Sequence, residues 1–226
     1  YGVLAFGINK DIITGENPAS WADLMNDEFA NSVALAGDPR TANNAILSVY
    51  AAGLSTGADA ATGAQAGLDF LKALNDKGNF VPVDAEAAAI AQGTTPIAIN
   101  WDYNLLAARD NLNGNPPIDV VVPSDGVVAG VYVQAISAYA PHPNAAKLWM
   151  EYLYSDEGQL GWLAGYCHPI RFNAMSDAGV LPADLMAKLP AAENYAKAVF
   201  PSIEEQNANK TTITGGWDST VGASVQ

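Results

Sequence analysis

Residues 1–13 read YGVLAFGINKDII, and the architecture hangs on this run. Tyr1, Val3, Leu4, Phe6 and Ile8 are strand formers, Gly2 and Gly7 punctuate them, and Asn9-Lys10-Asp11 makes a polar break. Chain ends are ordinarily polar and frayed. An apolar start with no methionine and no polar lead-in therefore reads as an interior strand, already inside a sheet at its first residue.

Beyond this run, short β-rich stretches alternate with Ala-rich helical ones, the rhythm of an α/β protein. NPASWADLMND turns into a short helix with Ser20 as its cap, SVALAG is a strand, and DPRTANNAILSVYAAGLS turns at Pro39 into a helix. TGAQAGLDFLKALND is amphipathic through Leu68, Leu71 and Leu74, and DAEAAAIAQG is a short helix ending at Gly93. TPIAINW is a strand, NLLAARDNL a helix, IDVVVPSDG a strand and VAGVYVQAISAY a long strand. From Pro143 the chain is mainly helical, through PNAAKLWMEYLYSDEGQLGWLAG and PADLMAKLPAAENYAKAVF. No repeat or flexible linker separates units, so strands must cross any boundary between lobes.

Composition narrows the functional classes. The 226 residues are 50% apolar, enough for a substantial core, and carry a formal charge of −14 from 24 acidic and 10 basic residues. That field repels phosphate backbones and anionic lipid, which disfavours nucleic-acid and membrane-surface partners. One cysteine, Cys167, excludes an internal disulfide framework, and two histidines at no ligand spacing make no zinc site. No apolar run approaches the roughly 20 residues of a membrane span. Walker A, GxGxxG, GxSxG and HExxH motifs are missing, and the carboxylates are scattered. Neither an enzyme nor a cofactor is expected.

Three stretches carry candidate chemistry. In ALAGDPRTANNAI a strand ends in Gly-Asp-Pro and runs straight into a helix bearing Thr41, Asn43 and Asn44. Free N–H groups at such a start favour an anion, with Arg40 as a bidentate partner and Asp38 beside it. The same residues also suit an ordinary turn with Thr41 as cap and Arg40 in solvent. In AINWDYNLL a strand delivers Trp101, Asp102 and Tyr103 at its C-terminal end, where open α/β sheets bind ligands. Asp102 would be a counter-ion and the rings a stacking surface; equally, Trp101 could be core and Asp102 a helix cap. In GWLAGYCHPIRF, Gly165 ends a helix, and Tyr166, His168 and Arg171 occupy an irregular segment held by Pro169. Cys167 and His168 are adjacent and would point apart, so they do not form a thiol–imidazole pair.

In this order the stretches YGVLAFGINKDII, PASWADLMND, VALAGDPRTANNAI, AINWDYNLL, PNAAKLWMEYLYSDEGQ and GYCHPIR resemble type II periplasmic binding proteins, the solute receptors of ABC importers. The resemblance covers nearly the whole chain and is nearest the branch of iron(III), polyamine, phosphonate and sugar-phosphate receptors. It implies an α/β fold of two lobes joined by crossing hinge strands, with the first lobe incomplete and its N-terminal half upstream. Residues 1–7 would be the first crossing, 8–124 the second lobe, and 125–226 the return crossing and the helical part of the first lobe. The implied site is the inter-lobe cleft, with Asp38, Arg40, Thr41, Asn43, Trp101, Asp102, Tyr103, Tyr166, His168 and Arg171 facing it and Tyr132 near the hinge. The implied partners are a small solute and a membrane permease, in the periplasm or outside the cell, with a lipoprotein anchor on the full-length form and self-association if the chain is truncated. A phosphonate or sugar phosphate ranks above a polyamine, whose receptors gather more carboxylates. Iron(III) ranks lower, because this sequence has no adjacent tyrosine pair, and a truncated interaction fragment without a ligand is the remaining alternative.

Overall fold

A computed structural model describes all of residues 1–226. The opening run is β1 (Gly2–Asn9), and every one of its residues is buried. It is followed by single 3-10 turns over Ala22–Met25 and Asp27–Phe29, then β2 (Val33–Leu35), α1 (Asn43–Ser55), α2 (Gly63–Lys77) and α3 (Ala87–Gln92). Next come β3 (Ile97–Trp101), α4 (Asp102–Leu112), β4 (Ile118–Val121) and β5 (Ala129–Gly130). The rest is helical: α5 (Pro143–Tyr154), α6 (Asp156–Ala164), α7 (Phe172–Asp177), α8 (Ala183–Met186), α9 (Ala192–Tyr195) and α10 (Ile203–Thr220).

β1 is an inner strand of a sheet ordered β2-β3-β1-β4. It runs antiparallel to β3, with Leu4 opposite Trp101, and to β4, with Phe6 opposite Val121, while β2 lies parallel to β3. One face packs Leu4, Phe6 and Ile8 against α1, α2 and Trp21; the other packs Val3 and Ala5 with Leu105 of α4 and Ile90 of α3. A strand covered on both faces reads as a continuous apolar run, which is why residues 1–8 carry no polar alternation. At its first residues β1 also meets β5 antiparallel, Gly2 opposite Gly130 and Val3 opposite Ala129.

α1 and α2 pack with backbone against backbone. A Cβ on Gly67 would lie 1.9 Å from the Val49 carbonyl oxygen, and one on Gly53 would lie 1.8 Å from that of Gly63. These glycines are fixed by space rather than by backbone angle.

Two expectations are corrected. The long strand over VAGVYVQAISAY is only β5, because no neighbouring strand pairs residues 131–142 and their side chains are almost all exposed. The region around residue 190 is two single turns, α8 and α9, interrupted near Pro190, which a helix interior does not tolerate. The end of the chain does not pack with the C-terminal helices: Ile213, Trp217, Val221 and Val225 join the core of α1 and α2. Gln226 N–H donates to the Pro82 carbonyl (3.2 Å), and Asp84 N–H donates to that of Gln226 (2.9 Å). Ser202 and Glu205 form a reciprocal capping box at the start of α10. By contrast α5 buries none of its residues and shows Leu148, Trp149 and Tyr152 to solvent.

Candidate functional site

A cleft of about 300 Å³ opens where β5 meets α1, the end of β3 and the start of α10. Its walls are Asn43, Asn44 and Leu47 of α1, Trp101 at the end of β3, the segment from Ala129 to Tyr132, and Phe200, Pro201 and Gln206. Leu47 and Trp101 are nearly buried, whereas Tyr132 and Phe200 are more than half exposed. The floor is thus part of the core and the rim is exposed. No Asp, Glu, Lys or Arg is among these residues.

α1 begins with no side-chain cap, its Ncap being Ala42. The hydrogen-bond ladder starts with Ile46 N–H donating to the Ala42 carbonyl (3.0 Å), so the N–H groups of Asn43, Asn44 and Ala45 have no acceptor. Together with the helix dipole these donors favour an oxygen-bearing anion. The aromatic wall stands opposite. Trp101 and Tyr103 are nearly parallel, 10° apart with centroids 6.4 Å apart, and the Tyr103 and Tyr132 hydroxyls are hydrogen bonded. Trp101 comes so near β5 that a Cβ on Gly130 would meet its ring at 2.5 Å.

Of the residues expected from the sequence, Asn43, Trp101 and Tyr132 line this cleft and Tyr103 adjoins it. The others are placed elsewhere. Arg40 is engaged by Asp38 (2.8 Å) and Asp218 (3.3 Å), and its guanidinium holds the Asp38 carboxyl below the usual carboxylate range. Arg40 and Asp38 satisfy each other, and Thr41 is exposed and caps nothing. Asp102 is fully buried: Val3 N–H donates to Oδ1 (3.0 Å) and the Tyr195 hydroxyl to Oδ2 (2.8 Å). It ties β1 to α4 and α9 and presents no oxygen to the cleft. Burial pushes its carboxyl up to about 6, against the pull of the Tyr195, Val3 and Tyr103 donors. His168 is buried against the Tyr195 ring, centroids 3.9 Å apart, and burial pushes its imidazole down to about 4. Tyr166, at φ 66°, donates to Asp110 (2.5 Å), and Arg171 pairs with Asp156 (2.8 Å). Those two are bound to surface partners away from the cleft walls.

Leu47, Phe200 and Gln206 line the cleft but were not read from the sequence. Gln206 belongs to α10 and Phe200 lies just before it; the Ser202–Glu205 spacing was the available signal for that helix.

Comparison with known proteins yields consistent neighbours. The family model described as "Bacterial extracellular solute-binding protein" matches residues 1–209. The chain is 25% identical over 227 residues to the spermidine/putrescine-binding periplasmic protein of Escherichia coli K12, covering 99% of this chain and 58% of that protein. The chain spans about half the length of the curated relatives it matches. An ABC transporter structure from Clostridium perfringens superposes with a TM-score of 0.70 at 19% identity, covering 98% of this chain and 68% of that one. The fructose-6-phosphate-bound periplasmic binding protein AfuA from Actinobacillus pleuropneumoniae does so with a TM-score of 0.67 at 16% identity, covering 98% and 66%. At these identities the structures establish the shared fold alone.

Proposed function

The chain belongs to the bacterial extracellular solute-binding proteins, a family of receptors rather than enzymes, and on that footing we propose that it receives a small polar organic solute for an ABC importer. Its place of action is the periplasm or the cell exterior, and its protein partner is the importer's membrane permease. The solute occupies the cleft between α1, Trp101, the 129–132 segment and the start of α10. The observation that carries this reading is the trio of unpaired N–H groups at Asn43, Asn44 and Ala45, beside a cleft without carboxylates. An acceptor-rich head group, phosphate, phosphonate or carboxylate, suits these donors. Asp102, Arg40, His168 and Arg171 are left out of the site, since Asp102 and His168 are buried and Arg40 and Arg171 are paired with carboxylates outside the cleft walls.

A second reading, a polyamine, is favoured by the name of the Escherichia coli relative and by the ring-rich wall. Asn44→Asp separates the two. A negative charge at the start of α1 repels an anion and attracts an amine. Titration calorimetry with fructose 6-phosphate, 2-aminoethylphosphonate, putrescine and spermidine should show an anionic solute weakened by about tenfold, on the scale of a helix-terminus charge interaction. Tighter amine binding in the variant would establish the polyamine reading and overturn the first.

A further inference from the structure

We propose that the solute is a zwitterion whose cationic end is a methylated ammonium, held at the aromatic corner of Trp101, Tyr103, Tyr132 and Phe200. The inference rests on the cleft being the solute site and concerns the end of the solute remote from α1. Trp101, Tyr132 and Phe200 line the cleft, and Tyr103 backs Tyr132. Tyr132 is turned 63° to Tyr103 with centroids 6.1 Å apart, so the rings form a corner rather than one flat stack. The hydroxyl contact from Tyr103 fixes the orientation of Tyr132, which is otherwise 60% exposed.

The chemistry of the two kinds of ammonium decides between them. A primary ammonium brings three N–H donors, and desolvating it without acceptors is costly. The side-chain acceptors on these walls are the amides of Asn43, Asn44 and Gln206 and the Tyr132 hydroxyl; the first two belong to the anion-favouring helix start. Gln206 donates its amide nitrogen to the Pro201 carbonyl (2.8 Å), so it and the Tyr132 hydroxyl offer two side-chain acceptors for the three N–H donors of a primary ammonium. A trimethylammonium group has no N–H to satisfy. It binds through ring faces, and several converging rings are the usual means of recognising it. The buried Asp102 lies behind the corner, between Trp101 and Tyr103 in sequence, and adds attraction for a cation without offering a hydrogen bond. The charge of −14 favours approach of a cation over a bare anion. With the anionic end at the α1 donors, both ends of a compact zwitterion are matched.

The test is titration calorimetry of the chain with glycine betaine, glycine, choline, spermidine and fructose 6-phosphate. Glycine betaine should bind at least about tenfold more tightly than glycine, the scale of a desolvated cation–ring interaction. Tyr132→Leu keeps an apolar side chain but removes the ring, and should weaken glycine betaine by about tenfold. Tyr139→Leu, on the same exposed segment and 94% exposed, is the matched control and should leave the affinity unchanged. Equal affinity for glycine and glycine betaine, or an indifferent Tyr132→Leu variant, overturns the inference. Binding of spermidine or fructose 6-phosphate without glycine betaine also overturns it while leaving the cleft as the solute site. No heat from any of the five overturns both.

Discussion

Replacing Asp102 by Asn tests the buried carboxylate between β1, α4 and α9. The two side chains are isosteric, and the amide can still accept from Val3 N–H while donating to the Tyr195 oxygen, since a phenol accepts as well as donates. The variant therefore removes the charge and keeps the contacts. Burial raises the Asp102 carboxyl from 3.8 to about 6. The folded state then binds more protons than the unfolded state between these values, so its stability falls as pH rises through that window. A shift of about 2 units corresponds to about 3 kcal/mol of destabilisation, absent below pH 4 and fully present above pH 6. Urea denaturation at several pH values from 4 to 7 should show wild type losing about 3 kcal/mol relative to Asp102→Asn across that range. At pH 7 the variant should be the more stable protein, since the value of about 6 is already net of the pull of the Tyr195 bond. Parallel pH profiles for the two proteins would defeat this account, because they would mean that Asp102 is not desolvated as its surroundings require.

Two further predictions concern the frame. Gly67→Ala would drive a methyl into the Val49 carbonyl and force α1 from α2, at a cost of about 3 kcal/mol or more, read as a lower urea midpoint. Trp217→Ala should cost about 3–5 kcal/mol, because the buried indole packs on Phe80 and donates to the Ala223 carbonyl (2.7 Å). If Trp217→Ala loosened only residues 125–200 by hydrogen exchange, the docking of α10 on α1 and α2 would be wrong.

The α/β layering, the interior place of β1 and a helix following Pro39 were all legible in the residues alone. Each depends on a local signal: the uninterrupted apolar run of β1, the Gly-Asp-Pro turn, and the amphipathic period of α2 through Leu68, Leu71 and Leu74. Such signals report which faces must be buried, and burial is required whatever the partner is. What they do not report is the partner. Asp102 and Tyr103 are neighbours in the chain, yet only the packing of α9 decides that Tyr195 encloses the carboxylate while Tyr103 reaches the cleft rim. Arg40 reads as a ligand residue until Asp38 and Asp218, the latter 178 positions away, take up its guanidinium. The run from Val131 to Tyr139 has strand propensity but no strand to pair with. A strand needs another strand's hydrogen bonds, a charge takes whichever counter-charge the fold brings near, and both are fixed only when distant segments meet.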